Sequence, residues 1–217
     1  MQTLQVEIPV DYVKLGGILE IPDGARAVVV FVHGSGSSRF SPRNRQVAAG
    51  LQNAGFATLL FDLLTLEEQQ HDDVDSTYRF NIALLARRLG ATLLWLHQRA
   101  EVASLRVGLF GASTGAAAAV VAAAGGSAVD AIVSRGGRPD LARQALASVS
   151  TPTLLIVGEL DTEVIRLNQK AAEQLICEHQ IAIVAGATHL FEEPGALDEV
   201  TRLAAGWFVR WLTARSS

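Results

Sequence analysis

The stretch from Arg106 to Gly125, R-V-G-L-F-G-A-S-T-G-A-A-A-A-V-V-A-A-A-G, leaves little freedom in how the chain can fold. Val107 to Phe110 is a short apolar run of the kind a buried strand uses, and a run of small helix formers follows from Ala116. Between them, Gly111-Ala112-Ser113-Thr114-Gly115 allows a tight reversal because Gly111, Ala112 and Gly115 are small. A G-x-S-x-G sequence in this strand, turn and helix context lifts a serine hydroxyl out of the backbone at the C-terminal edge of a sheet. The plainer alternative is a glycine-bounded turn in which Ser113 only caps a helix. The rest of the chain has to decide between them.

The remaining segments alternate. Thr3 to Val10 and Leu15 to Ile21 predict an antiparallel pair at one sheet edge, closed by the turn Pro22-Asp23-Gly24. Ala27 to Val32, Phe56 to Phe61, Ala128 to Ser134, Thr153 to Val157 and Gln180 to Val184 read as buried strands. Helices are expected over Pro42 to Ala54 with Ser41 as N-cap, Arg79 to Ala100, Val164 to Cys177 and Gly195 to Ala214, with a short one ending near Ala147. Leu64 to Thr77, rich in acidic residues, reads as a long solvated loop, and His97 and His179 are placed on helical stretches without a role. Buried strands alternating with amphipathic helices imply a doubly wound, mostly parallel α/β sheet covered on both faces. Without repeat, low-complexity tract or linker, residues 1–217 are expected to form a single domain.

Composition narrows the partners. About half of the residues are hydrophobic (49%) and 18% are charged, which suits a sheet buried on both sides. The formal net charge of −4 argues against general affinity for nucleic acid or an anionic membrane. The single cysteine, Cys177, has no partner for a disulfide or a metal cluster and is expected to be a core thiol. Asp72 and Asp73 beside His71 read as solvated residues, and no metal or cofactor is expected. The N-terminal segment lacks a basic region followed by a long apolar one, and no run reaches the roughly 18 apolar residues of a membrane span. The expectation is a cytoplasmic protein acting on a small molecule, as a monomer or homodimer.

In such a sheet, ligands bind outside the carboxyl ends of the strands. Residues suited to hydrolytic chemistry follow several strand ends here: His33-Gly34-Ser35-Gly36, Ser113, Asp161 after Gly158, and His189 in Gly186-Ala187-Thr188-His189. The order serine, acid, histidine is that of the α/β-hydrolases and differs from the two other well-known serine triad orders. On these motifs the chain resembles an α/β-hydrolase of the dienelactone hydrolase-like branch, from Ala27 through Trp211. The resemblance implies an α/β-hydrolase fold, with no insertion long enough for a full cap domain. The dienelactone hydrolases proper use cysteine as nucleophile, so Ser113 favours ordinary ester chemistry. The resemblance also allows a domain that elsewhere stands beside a phosphoribosyltransferase-like one.

The expected roles follow from the chemistry. Ser113 needs a base within hydrogen-bond reach, His189 is that base, and Asp161 fixes the imidazole tautomer. The oxyanion needs two donors, expected to be the backbone N–H groups of Thr114 and Ser35. Asp140 is a rival for the acid, although Pro139 before it suggests a helix start, and Asp62 reads as a strand-end residue. Candidate substrate contacts are His33, Arg39, Arg135 and Arg138, joined by Arg43. An arginine among them could clamp a carboxylate or phosphate with two hydrogen bonds. A serine esterase is the leading expectation. Thioesterase, acyltransferase, carbon–carbon bond hydrolase and dienelactone-type hydrolase use the same triad, and a non-catalytic binding module is the contrasting class.

Overall fold

The computed structural model describes residues 1–34 and 36–213. Its frame is an eight-stranded sheet of β1 (Gln2–Val10), β2 (Val13–Ile21), β3 (Ala27–Val32), β4 (Ala57–Phe61), β5 (Arg106–Ala112), β6 (Ala131–Arg135), β7 (Thr153–Gly158) and β8 (His179–Val184). The order across it is β1-β2-β4-β3-β5-β6-β7-β8. β2 runs antiparallel to both β1 and β4, and every other pairing is parallel. The β1–β2 hairpin therefore forms the expected antiparallel edge.

Among the described residues, five α-helices lie between strands, α1 (Pro42–Asn53), α2 (Leu66–Asp75), α3 (Ile82–His97), α4 (Thr114–Ala124) and α5 (Thr162–Ala172), and a sixth, α6 (Ala196–Leu212), follows β8. A 3-10 segment, Pro139–Ala147, links β6 to β7 and is broken at Arg143, whose φ is 49°. Side chains along each central strand alternate between two cores. Val28, Val30 and Val32 pack with α3 and α4, while Ala27, Val29 and Phe31 pack with α1 and α6. All six β3 residues are buried, which explains its unbroken apolar sequence.

Local chemistry accounts for the helix starts. Ser41 caps α1 by accepting from the Asn44 N–H, and Pro42 supplies the pre-set φ of the first turn. α4 is apolar all round because it is buried between the sheet and α3, and its run of alanines permits that close fit.

Two sequence expectations are overturned here. Residues 66–75 form a helix, because Thr65 and Glu68 make a reciprocal capping box and the acidic first turn complements the helix dipole. Its acidic side chains are partly committed: Asp72 is 1% exposed and bound by Arg79, and Glu68 makes a two-bond pair with Arg88. His179 opens β8, and Cys177 lies half-buried in the bend before it, outside any helix. Among the described residues, no helix is long and apolar enough to cross a membrane.

Candidate active site

The chain reverses direction across the sheet at β3. It passes first to β4 on one side and then to β5 on the other, so the loops after β3 and β5 meet at the C-terminal edge. Ser113 stands at that point with φ 50° and ψ −122°, a conformation that non-glycine residues adopt only when their surroundings enforce it. The surroundings are specific. A Cβ on Gly111 would lie 2.6 Å from the Ala116 Cα, and one on Gly115 would run into the Val32 carbonyl oxygen. These two glycines let the first turn of α4 lie directly on the ends of β3 and β5. The Ser113 carbonyl then accepts from the N–H groups of Ala116 and Arg138.

The β3 loop closes over the same point, and a Cβ on Gly34 would lie 2.8 Å from the Ser113 Cβ. His33 anchors this loop. Its Nδ1 is 2.9 Å from the Gly34 carbonyl, and its Nε2 accepts from the Leu63 N–H at 3.0 Å. That pattern fixes a neutral imidazole with its proton on Nδ1. Burial pushes its pKa below the ordinary histidine value, against the raising effects of the Gly34 hydrogen bond and the nearby Asp62 charge. His33, expected as a substrate contact, thus spends both ring nitrogens on the backbone.

Asp161 and His189 come from neighbouring strands. β7 and β8 pair in parallel through Gly158 and Val184. Beyond them, the Glu159 N–H reaches the Val184 carbonyl at 3.0 Å, and the Leu160 N–H reaches the Ala187 carbonyl at 2.9 Å. Gly158 permits this approach, since a Cβ there would collide with the Ala187 oxygen. The His189 turn is held further by Glu193, which accepts from the Thr188 N–H and hydroxyl at 3.1 and 2.5 Å. The outcome is a 2.6 Å hydrogen bond between His189 Nδ1 and Asp161 Oδ2. Asp140 is engaged elsewhere, bound by Arg138 through two 2.8 Å bonds.

Ser113 and His189 line one cleft of about 250 Å³, together with Gly34, Ser37, Ser41, Arg43, Arg135 and Gly136. Ser37 also borders a larger cleft of about 590 Å³, walled by Arg39, Phe40, Asp62, Leu64 and Leu66. The sequence-predicted arginines separate accordingly. Arg39 pairs with Asp62 and stacks on Phe40 in the larger cleft. Arg138 is tied to Asp140. Arg135 and Arg43 are the members of the expected set that border the cleft with Ser113. Thr114 opens α4 beside Ser113 and is buried. Ser35, the other expected oxyanion donor, lies outside the described residues.

Among the described residues, no group of three or more His, Cys, Asp or Glu side chains is arranged to hold a metal ion.

The sequence profile of the dienelactone hydrolase family matches residues 15–209. The chain belongs to the dienelactone hydrolase family. A solved dienelactone hydrolase from Anabaena variabilis is 54% identical, with a TM-score of 0.94 over 97% of this chain and 98% of that one. The "Putative phosphoribosyl transferase" of Mycobacterium tuberculosis H37Rv is 53% identical over 206 residues, which are 94% of this chain and 46% of that protein. This family member thus spans less than half the length of the curated relatives it matches. Est1E from Butyrivibrio proteoclasticus, at 16% identity, shares the α/β fold with a TM-score of 0.79 over 95% of this chain and 98% of its own.

Proposed function

We propose that this dienelactone hydrolase family member cleaves a small ester through an acyl-enzyme on Ser113. The observation that carries the reading is the His189–Asp161 hydrogen bond beside a serine held at positive φ in the same cleft. With Nδ1 engaged by the carboxylate, Nε2 is the nitrogen left to act as base. His189 takes the Ser113 proton as Oγ attacks the ester carbonyl, then returns it to the departing alcohol. Water repeats the sequence on the acyl-serine and releases the acid.

The negative oxygen of each tetrahedral intermediate is assigned to the N–H of Thr114 at the positive end of α4, and to the N–H of Ser35. The support for Ser35 is the course of the loop before it, since Gly34 passes directly beside Ser113. Losing one such donor typically costs about 10²–10³ in kcat.

A lactone substrate is the second reading, favoured by 54% identity to a protein called a dienelactone hydrolase. Ring opening would follow the same steps, with the released alcohol still tethered to the acyl group. Phosphoribosyl transfer, which the mycobacterial relatives carry in their name, is not assigned to these residues. The stretch shared with those relatives carries the dienelactone hydrolase profile and leaves more than half of their length unmatched.

The test is pre-steady-state hydrolysis of 4-nitrophenyl acetate. A burst of nitrophenolate equal to the enzyme concentration is expected from the wild type, with none from Ser113→Ala. Turnover without dependence on Ser113 would reject the reading.

A further inference from the structure

Each carboxylate around the Ser113 cleft already has a partner. Asp161 holds His189, and Glu192 accepts from Arg43 Nη1 at 2.6 Å. Arg135 does not share in this balance. It is 9% exposed, its Nη1 is buried with no hydrogen-bond partner among the described residues, and Nη2 has only a 3.5 Å contact to Asn44 Oδ1. The guanidinium stands over the Phe191 ring, 5.9 Å from its centroid, which supports the cation without neutralising it. Phe191 is itself fully buried with φ 56°, so a strained backbone holds this support in place.

A buried cation without a counter-charge is expensive, and it usually relaxes by pairing or by losing its proton. Burial, reinforced by the neighbouring Arg43 charge, lowers the Arg135 pKa to about 10, still well above neutrality. The Arg135 group therefore stays charged. Further donors converge on the same cleft. The N-terminal end of α1 faces it through Ser41 and Arg43, Arg43 Nε is buried without a partner among the described residues, and Ser37 and Ser41 line the wall.

We propose that this cleft binds a phosphate group carried by the ester substrate, with Arg135 and Arg43 as its principal ligands. A carboxylate would satisfy one forked guanidinium. A phosphate monoester has three terminal oxygens and a charge near −2 at neutral pH, enough acceptors to engage the Arg135 fork, the Arg43 guanidinium that it would share with Glu192, and the Ser37 and Ser41 hydroxyls together. The site is part of the substrate pocket, because the Arg135 carbonyl accepts from the Ser113 N–H and both residues border the cleft. The phosphate then sits a short arm away from the scissile carbonyl and orients it for attack.

This inference rests on the ester hydrolase reading for its kinetics, but not for its binding measurement. Binding is tested first, on Ser113→Ala, by thermal shift and calorimetry with inorganic phosphate and with acetate. Phosphate should raise the melting temperature at millimolar concentration and acetate should not, and Arg135→Met should lose the phosphate response. Arg43→Ala provides a second variant outside the core should Arg135→Met fold poorly. No phosphate response in Ser113→Ala, or an equal response to acetate, would overturn the proposal whatever the catalytic outcome.

Kinetics then compare 2-acetoxyethyl phosphate, 3-acetoxypropanoate and 2-methoxyethyl acetate. The phosphorylated ester should exceed the neutral one at least tenfold in kcat/KM and also exceed the carboxylate, with the ratio collapsing in Arg135→Met. Turnover with no preference for phosphate would overturn this inference and leave the hydrolase standing. Phosphate binding without turnover of any ester would do the reverse.

Discussion

His189 Nδ1 lies 2.6 Å from Asp161 Oδ2, although the two residues are 28 positions apart and belong to different strand ends. Asp161 is mostly shielded and His189 is partly open to solvent, so the carboxylate orients the ring from the protected side. The contact depends on Gly158, whose missing side chain lets the turn after β7 pack on the loop after β8.

Asp161→Asn tests that relationship. An amide can donate to Nδ1, which favours the wrong tautomer and leaves Nε2 protonated. kcat for ester hydrolysis should fall by about 10⁴-fold with little change in folding, as read by steady-state kinetics and circular dichroism. A loss below tenfold would show that Asp161 is only a turn residue.

Gly115→Ala sets helix propensity against packing. Alanine in a helix is favoured by about 1 kcal/mol over glycine. The added Cβ would, however, meet the Val32 and His33 carbonyl oxygens, backbone atoms that cannot swing aside. Overpacking costs of about 1–3 kcal/mol should win, giving net destabilisation in urea unfolding and slower acylation of a displaced Ser113. Increased stability would refute the close fit of α4 on β3.

His33 makes stability depend on pH. Its folded pKa lies below the unfolded value of about 6.5, so the unfolded chain takes up a proton first on acidification. Its contribution should be complete above that value and lost as pH falls toward the folded pKa. His33→Gln retains a donor and an acceptor but cannot titrate. Melting temperatures between pH 8 and 5 should fall more steeply for the wild type than for this variant.

Glu68 acts in a lower window. Its hydrogen bonds to Arg88 hold its pKa below the usual carboxylate range, against a smaller opposing effect of burial. The pair should stabilise fully above the unfolded pKa of about 4.3, and the benefit should disappear as pH falls through the folded value. Glu68→Gln should cost about 1.5–3 kcal/mol at pH 7, because a buried Arg88 loses its charged acceptor. The difference from wild type should close in acid denaturation below pH 4.

The sheet and the site's outline were legible because their signals are local. A β-branched run gives β3, a short apolar run ending at Gly111 gives β5, and the glycine-flanked serine marks the turn between β5 and α4. α2 was hidden by composition: acidic side chains suggest solvation, while the Thr65–Glu68 capping box in the same segment signals a helix start. The assignments of the arginines were not legible. Arg39, Arg135 and Arg138 look alike in sequence; Asp140 stands two residues from Arg138, but only the packed structure brings Asp62 to Arg39 and shows which arginine is left over. That Arg135 Nη1 has no partner among the described residues is a property of three-dimensional neighbours and leaves no trace in local sequence.

The activated serine is tested most directly by intact mass after treatment with a fluorophosphonate. A single adduct is predicted on the wild type, absent from Ser113→Ala and formed far more slowly on His189→Ala. No adduct on the folded wild type, or an adduct that persists in Ser113→Ala, would contradict the assignment of Ser113 as nucleophile.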